Sequence, residues 1–413
     1  MKKNKLQDLL EYSYQKVPYF NNIINKNDIS PESFNNPAIF EKIPPFSKKD
    51  IIESGYTNFI SIDYLDEQYR LTPSSRIKIE RTSGTTMESM EIPWDRKNYI
   101  SSVRSHWQYR KSNGDITPLS PMLSAITLSP NEYYLIENNN ILVNTNNLCD
   151  ECIKAVYAEI VLRKIEWIYT FGSVIYVLLR KIEKLGLPFP HSIKYIEVIG
   201  EPLLSHYKTY IEKATGLRVY NAYGCTETNG IAYSCSQGNF HTLDENVHVE
   251  ILYNGKTAVW GQKGNVCVTG LHNRTMPFIR YLLTDIAEMH EGRSCTCGLS
   301  SNYLTLHITR LPKVLLLDDL SIYPNSRLYF SFDNIFAITT PTCKHIPFNL
   351  RYKDIHTYEI CFDICSTNFS EERISNEINN LISRYKLEDI NIILSFKSMC
   401  QGQSNGFLVL KDD

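Results

Sequence analysis

The sequence predicts an α/β protein, with a large N-terminal domain of layered sheets and helices and a small α+β C-terminal domain. Apolar runs typical of strands, Met122–Leu128 and Lys194–Ile199, alternate with amphipathic segments typical of helices, Ile153–Ile165 and Val174–Leu185. This alternation indicates a largely parallel sheet. At 413 residues the chain is also too long for one compact core, so we expect two domains.

The remaining elements follow from local patterns. Leu6–Tyr14 has helical spacing and is expected to end before Pro18. From Val247 onward the pattern is strand-rich, and Asn254-Gly255 predicts a hairpin turn. A boundary near Arg310 divides the chain into predicted domains 1–309 and 310–413. Further predicted elements are a helix after Ser47, strands at Leu217–Tyr220, Ala258–Gly261, Met276–Tyr281, Tyr358–Cys365 and Ile390–Phe396, and a helix at Glu371–Tyr385.

Composition excludes several classes of protein. The net charge is −2, so neither a nucleic-acid-binding surface nor an acidic tail is indicated. No apolar run approaches the roughly 20 residues that span a bilayer, and the N-terminus lacks signal-peptide features. We therefore expect a cytoplasmic protein without membrane or nucleic-acid partners. Its eleven cysteines point to metal or chemistry rather than to disulfides.

A turn rich in small polar residues occurs at Arg81–Thr86. The backbone amides and hydroxyls of Ser83, Gly84, Thr85 and Thr86 suit a polyphosphate, because such turns offer several hydrogen-bond donors. An ordinary turn is the alternative.

A second motif runs from Asn221 to Glu227. An aromatic ring at Tyr223 suits stacking on a purine, and a hydroxyl at Thr226 suits a phosphate. The carboxylate of Glu227 suits Mg²⁺, which prefers oxygen ligands. Gly224 predicts a tight turn within the motif. The alternative is a surface turn after the preceding strand.

The third motif is the predicted strand Met276–Tyr281 followed by Asp285. An acidic residue delivered at the end of a strand is suited to binding ribose hydroxyls. A turn residue without a ligand is the alternative.

In this order and at these separations, the three motifs resemble the phenylacetate–CoA ligase branch of the adenylate-forming superfamily. Gln15–Lys26 and Phe40–Ile51 are similar to its N-terminal signature, and Ile199–Leu203 to its adenine-side loop. The resemblance covers the chain up to about Arg310. It implies a large nucleotide-binding domain, a small lid, and a two-step reaction. The acid first forms an acyl-adenylate with ATP, and a thiol then displaces AMP.

The resemblance also implies a role for each site residue. It assigns Thr85 and Thr86 to the β/γ-phosphates, Thr226 to the α-phosphate and Glu227 to Mg²⁺. Tyr223 stacks on adenine beside Glu201, Asp285 binds the ribose, and Arg310 lies at the hinge. The other nucleotide-binding positions are Ser83, Gly84, Gly200, Asn221, Ala222 and Gly224. The acyl pocket is expected at Phe171, Gly172, Ser173 and Tyr223.

A structural zinc site is predicted from four further residues. Cys235, His241, Cys295 and Cys297 supply three thiolates and one imidazole, a closed tetrahedral set. Members of the family show a similar pattern after the same two motifs. Unrelated buried thiols are the alternative. Cys149 and Cys152 also have metal-like or redox-like spacing, but without a second pair we interpret them as structurally incidental.

The chain departs from the family at several positions. Glu88 stands where the phosphate loop usually has lysine, and Thr284 where glycine precedes the ribose-binding aspartate. Phe407 occupies the place of the C-terminal lysine that drives adenylation. The leading hypothesis remains an acid–thiol ligase. The alternatives are a homologue that only transfers a preformed acyl group and a non-catalytic partner protein. The substrate would be a small carboxylic acid and the acceptor coenzyme A or the pantetheine arm of an acyl carrier protein; homodimerisation stays open.

Overall fold

The computed structural model describes most of the chain up to residue 307 and parts of the remainder. The described residues are 5–34, 36–68, 70–72, 76–82, 90–126, 128, 132–145, 147–201, 203, 205–307, 314–316, 322–324, 343–354, 357–363, 371–372, 375–376, 379, 391–397 and 406–411. No helix among them is long and apolar enough to cross a membrane.

The α-helices of this part of the chain are α1 Lys5–Lys16, α2 Pro18–Lys26, α3 Pro37–Phe40, α4 Lys48–Ser54, α5 Arg96–Ser102, α6 Arg104–Gly114, α7 Asp150–Arg163, α8 Gly172–Lys184 and α9 Ser205–Thr215. The strands are β1 Ile77–Arg81, β2 Glu91–Asp95, β3 Met122–Ile126, β4 Tyr134–Glu137, β5 Asn140–Asn144, β6 Trp167–Thr170, β7 Tyr195–Val198, β8 Val219–Cys225, β9 Asn229–Ser234, β10 Phe240–Thr242, β11 Val247–Tyr253, β12 Lys256–Thr257, β13 Gly264–Gly270, β14 Tyr281–His290, β15 Tyr303–His307, β16 Val314–Leu316, β17 Ile322–Pro324, β18 Cys343–Asp354, β19 Thr357–Asp363, β20 Asn391–Lys397 and β21 Gly406–Lys411.

The chain divides into two compact units. The first unit comprises Met1–Gly84, Glu88–Pro118 and Tyr220–His307. Its main sheet is antiparallel, with strand order β12-β11-β13-β14-β15-β10-β9-β8. An aromatic core joins the N-terminal helices to this sheet, because Phe46 packs against Phe20, Phe59, Phe278 and Tyr281. The N-terminal segment is therefore an integral part of the first unit.

The second unit comprises Thr85–Met87, Leu119–Val219 and Ile308–Asp413. Strands β7, β6, β3 and β5 are parallel, and β4 joins the edge antiparallel to β5. Branched side chains on one face of the sheet, such as Ile168 and Ile196, are buried in one cluster with residues of α7 and α8. Strands β20, β19, β18 and β21 form a separate four-stranded sheet near the C-terminus. The predicted α/β class is confirmed.

Several predicted elements are confirmed within one to four residues of their ends. The chain leaves α1 before Pro18, but a new helix begins at that residue, since proline is well suited to a first helical position. Ser47 caps α4 in a reciprocal capping box with Asp50. Asn254 and Gly255 both have positive φ, 50° and 77°, as the predicted hairpin turn between β11 and β12 requires.

Other predictions are wrong. The segment 258–261 is not a strand: β12 ends at Thr257, and Val259 and Trp260 are exposed. The segment before Tyr281 is irregular, because Arg280 has φ 56°, and β14 starts only at Tyr281. Two C-terminal strands, β18 and β21, were not predicted at all. The domain boundary near Arg310 stays a prediction, since residues 308–313 lie outside the described ranges.

Candidate functional site

The second sequence motif forms a hairpin of the first unit. Strand β8 continues through Cys225, three turn residues follow, and β9 begins at Asn229 with φ 65°. Tyr223 therefore lies on a strand, not in a turn. Gly224 allows the backbones of β8 and β9 to approach closely and does not form a tight turn. An added Cβ at this position would lie 2.5 Å from the carbonyl oxygen of Asn229. Thr226 and Glu227 stand at the tip of the hairpin.

Glu227 is held in place although it lies in a turn. Its side chain is buried, and the hydroxyl of Tyr281 donates a hydrogen bond to its Oε1 at 3.0 Å. Burial, and then the charge of Glu227, raise the pKa of Tyr281 far above its usual value, so the phenol remains a donor. The buried Asn246 binds the carbonyl oxygens of Thr228 and Gly230 and so fixes the base of the turn.

Asp285 lies within β14 rather than at the end of a strand, which corrects the sequence prediction. The pairing of β13 with β14 shifts register between Asn265 and Cys267, so Leu283–Asp285 occupy an irregular stretch of the strand. Such bulges commonly re-aim a side chain. The hydroxyl of Tyr223 donates a hydrogen bond to Oδ2 of Asp285 at 2.9 Å. The structure thus brings Tyr223 and Asp285 together.

Asn221 and Ala222 precede Tyr223 on β8. The amide of Asn221 donates to the hydroxyl of Ser234 at 3.0 Å, and Ala222 is buried. Both residues hold the strand in register with β9.

Arg280 is a residue whose importance sequence reasoning missed. It is 2% exposed, and its guanidinium donates to both carboxylate oxygens of Glu250 at 3.0 and 3.1 Å. The same group donates to the carbonyl oxygens of Glu41 and Ile43, each at 2.6 Å. Arg280 therefore ties the N-terminal segment to the start of β14. A lone arginine within the apolar run Met276–Tyr281 was the available signal.

The predicted acyl and adenine-side residues belong to the second unit. Phe171 is the N-cap of α8, and Gly172 and Ser173 form its first turn. Glu201 accepts hydrogen bonds from the amide of Ser173 at 2.5 Å and from its hydroxyl at 3.1 Å. Its carboxylate therefore caps the positive end of α8. Gly200 has φ 76°, and an added Cβ would meet the Phe171 ring at 2.9 Å.

The phosphate-loop residues Ser83, Gly84, Thr85 and Thr86 lie outside the described residues, as does Arg310. The flanks of the loop are described. The amide of Thr82 donates to the carbonyl of Met90, and the amide of Met90 donates to the Thr82 hydroxyl, each at 2.9 Å. These two bonds join the ends of the segment 83–89.

The four predicted zinc ligands come together in the first unit. The ligand atoms of Cys235, His241, Cys295 and Cys297 all lie within 4.8 Å of one another. Two sulfurs about 2.3 Å from one tetrahedral zinc lie roughly 3.8 Å apart, and the sulfurs of Cys235 and Cys295 are 3.7 Å apart. His241 Nε2 lies 3.2 Å from Cys297 Sγ.

Neighbouring groups orient these ligands. His241 Nδ1 lies 2.8 Å from the carbonyl oxygen of Ser301, which leaves Nε2 facing the sulfurs. Burial opposes ionisation of Cys295, but hydrogen bonds from Asn239 and the backbone outweigh it and lower the pKa of this thiol to about 6. Thiolate is the form that binds metals. The donor set and its surroundings fit a closed zinc site.

Comparison with known proteins supports the fold that the sequence predicts. The chain is 20% identical over 340 residues to phenylacetate–coenzyme A ligase of Thermus thermophilus, covering 78% of this chain and 73% of the relative. No sequence-family profile matches it. Among solved structures it resembles 2-hydroxyisobutyryl-CoA ligase in the thioesterification state, bound to 2-HIB-AMP and CoA. The TM-score is 0.62, with 16% identity, 96% coverage of this chain and 86% of that chain.

The chain shares the fold of this acid–CoA ligase. Its resemblance to phenylacetate–CoA ligases, expected from the three motifs, is confirmed. An open form of 2-hydroxyisobutyryl-CoA ligase, also bound to 2-HIB-AMP and CoA, gives a TM-score of 0.59 at 15% identity, over 96% of this chain and 88% of that chain. The adenylate-forming relatives named here are acid–CoA ligases of comparable length.

Proposed function

We propose that this protein activates a carboxylic acid with ATP as an acyl-adenylate and transfers the acyl group to the thiol of coenzyme A. One observation carries the proposal. Two buried carboxylates of the first unit, Glu227 and Asp285, are each fixed by a tyrosine hydroxyl, at 3.0 and 2.9 Å. Buried, pre-oriented carboxylates suit a site that must bind a nucleotide and a hard cation in fixed positions.

Each carboxylate has a distinct role in the proposal. Asp285 accepts hydrogen bonds from the ribose hydroxyls, and the Tyr223 ring on β8 stacks on adenine. Glu227 is the ligand of Mg²⁺, which neutralises charge on the phosphates when bound. Thr226, beside it in the turn, donates to the α-phosphate.

The reaction proceeds in two displacements. An oxygen of the substrate carboxylate attacks the α-phosphorus of ATP, and pyrophosphate leaves. The sulfur of coenzyme A then attacks the acyl carbon, and AMP leaves with the electron pair. Ser83, Gly84, Thr85, Thr86 and Arg310 remain the predicted phosphate-loop and hinge contacts. Phe171, Gly172, Ser173, Gly200 and Glu201 remain the predicted acyl and adenine-side residues.

Zinc is the second part of the proposal. Cys235, His241, Cys295 and Cys297 would hold one Zn²⁺ as a closed, structural site. When bound, the metal joins the end of β9 and the start of β10 to the loop after β14. In the strand order of the sheet, β9 and β10 lie between β8, which leads to Glu227, and β14, which carries Asp285. The fit of the sulfur–sulfur spacing supports zinc over unrelated buried thiols.

Coenzyme A is the favoured acceptor because the named relatives are CoA ligases. An acyl carrier protein as acceptor and homodimerisation stay predictions. The hypothesis of impaired adenylation rests on Phe407 in β21, paired in register with Pro347. The comparisons give no support to this hypothesis or to a non-catalytic role.

The test is ATP–pyrophosphate exchange across a panel of small acids, followed by thioester formation with coenzyme A. We expect at least one acid to support both steps. Thioester formation from synthetic acyl-adenylate, without exchange for any acid, would instead favour the transfer-only hypothesis. Failure of both steps with every acid and acceptor would contradict the proposal.

A further inference from the structure

Cys149 and Cys152 lie at the start of α7, in the second unit. Strands β5 and β6 are both parallel to β3, so α7 is the crossover helix of a strand–helix–strand unit. Cys149 is the N-cap of this 14-residue helix, and Cys152 stands in its first turn. A cysteine pair with this spacing, at the start of a helix that follows a strand, is the usual arrangement of a redox-active dithiol.

The two sulfurs belong to one hydrogen-bonded turn. The amide of Cys152 donates to Cys149 Sγ at 3.4 Å, so the Cys149 side chain folds back over the turn that carries Cys152. The Tyr133 hydroxyl is hydrogen-bonded with Cys149, and the charge of this sulfur, followed by burial, raises the pKa of the phenol. Cys152 lies 3.7 Å from the carbonyl oxygen of Tyr133.

The two thiols differ in the way that a nucleophile and a resolving thiol differ. Cys149 is partly exposed, whereas Cys152 is fully buried. Burial, and then the neighbouring Cys149, raise the pKa of the Cys152 thiol to about 12. Cys149 is therefore the sulfur that a small disulfide can reach, and Cys152 is protected from direct attack.

Capping and packing alone do not account for the pair. Serine, aspartate or asparagine would cap α7 at least as well as Cys149, and would not expose a thiol. Asp150, between the cysteines, binds Lys181 at 2.9 Å and Lys184 at 3.5 Å, so the first turn is fixed on α8 without help from sulfur. In the described part of the chain, the one candidate metal cluster uses other cysteines.

We propose that Cys149 and Cys152 are a redox-active dithiol that converts reversibly to an intrachain disulfide. The oxidant is a low-molecular-weight disulfide such as glutathione disulfide. The Cys149 thiolate attacks one of its sulfurs, forming a mixed disulfide and releasing one glutathione thiolate. The Cys152 sulfur, having lost its proton, attacks Cys149 and releases the second glutathione. Two protein thiols are oxidised, and one glutathione disulfide is reduced to two thiols.

The experiment equilibrates the full-length, zinc-loaded protein in glutathione buffers of graded redox ratio. Acid quenching, alkylation after denaturation and peptide mass analysis then report each cysteine. We expect Cys149 and Cys152 to lose alkylation together, with a loss of two hydrogen atoms from their peptide. The buried cysteine Cys267, outside the pair and the metal cluster, serves as the internal control and should stay fully alkylated. In Cys152→Ser, Cys149 should accumulate as the glutathione mixed disulfide.

The wild-type measurement stands even if a variant fails to fold. A pair that stays reduced over the whole range would overturn the proposal. So would oxidation of Cys267 in parallel with the pair, because that result reports unfolding. Absence of the mixed disulfide in folded Cys152→Ser would show that Cys149 is not the nucleophile. Cys149→Ser should leave Cys152 reduced, and glutathione on Cys152 there would contradict its protected role.

Discussion

At the scale of single residues, the account depends on two tyrosine–carboxylate pairs. Both are formed across strands: Tyr223 and Asp285 are 62 positions apart, and Glu227 and Tyr281 are 54 apart. A fixed carboxylate loses little conformational freedom when it binds its ligand, because its rotamer is already set. We therefore expect the two tyrosine hydroxyls to contribute by positioning the carboxylates rather than by contacting the substrate.

Replacing Tyr281 with phenylalanine tests the first pair. The ring stays in the core while the hydrogen bond to Glu227 is lost. A hydrogen bond to a charged group contributes about 1.5 kcal/mol or more, so we expect a roughly tenfold higher Mg²⁺ requirement for ATP–pyrophosphate exchange. Saturating Mg²⁺ should restore most of the rate. The matched control is Tyr14→Phe, which loses a hydroxyl bond to Asn25 on the surface of the same unit. If Tyr281→Phe has the same Mg²⁺ requirement as the wild type, the Tyr281 hydroxyl does not position Glu227 for the metal.

Asp285→Ala tests the ribose assignment. Loss of the acceptor should weaken AMP binding by about tenfold or more, as measured by calorimetry, because the ribose hydroxyls lose a charged partner. Tyr223→Phe should weaken binding less, since the ring remains available for stacking. Asp244→Ala removes an exposed acid from the same unit and should bind AMP as the wild type does. Equal affinities for Asp285→Ala and Asp244→Ala would mean that the ribose lies elsewhere.

The sequence identified the carboxylates but not their partners. Tyr223, Glu227 and Asp285 were named from motifs, and the motif already suggested that the Tyr223 ring stacks on a purine. The hydrogen bonds were not foreseeable, because they depend on the register shift in β14 and on the length of β8 beyond Tyr220. Neither feature leaves a periodic signal in the sequence.

At the scale of elements, the cysteine–histidine cluster brings together the end of β9, strand β10 and the loop after β14. We expect purified protein to carry close to one zinc per chain. Cys295→Ser combined with Cys297→Ser should lower both the metal content and the thermal midpoint, because structural zinc contributes folding free energy directly. Cys267→Ser, which removes a buried thiol outside the cluster, should keep the metal. Full zinc content in the double variant would contradict the assignment.

The buried Arg280–Glu250 pair anchors the start of β14. Removing one member of such a pair leaves an uncompensated buried charge and costs about 3–5 kcal/mol. Arg280→Met should therefore lower the free energy of unfolding in denaturant titrations by this amount. The double variant Arg280→Met with Glu250→Leu should recover part of the loss, because no charge stays buried alone. Additive losses in the double variant would show that the damage comes from packing or from the left-handed backbone at Arg280.

Elements with strong local signals were predicted well. Helix α7 buries Cys152, Ile153, Val156 and Ile160 at helical spacing, α8 is buried along most of its length, and the Ser47–Asp50 capping box is visible in the sequence. The strand prediction at Ala258–Gly261 was wrong, because a short apolar run does not distinguish a strand from a turn with exposed Val259 and Trp260. Strand β18 was missed although Ile346, Phe348, Leu350 and Tyr352 alternate with Pro347 and polar residues, whereas β21 is a short apolar run without alternation.

At the scale of the whole molecule, each compact unit is assembled from three separate chain segments. The sequence predicted the α/β class and the strand-rich region after Val247, but placed a single boundary near Arg310. It could not predict that the segment Glu41–Phe46 would bind Arg280, some 240 positions later. Contacts of this separation leave no local signature, so only three-dimensional packing reveals them.

The central claim is that the carboxylic acid becomes an acyl-adenylate, with its oxygen attacking the α-phosphorus of ATP. The direct test uses the acid found by exchange screening, labelled with ¹⁸O in its carboxylate, in a complete reaction with ATP and coenzyme A. We predict that one labelled oxygen appears in AMP, observed by phosphorus NMR or mass spectrometry, with unlabelled pyrophosphate and one thioester per AMP. Label in inorganic phosphate, with ADP as the nucleotide product, would mean an acyl-phosphate route and would contradict the account.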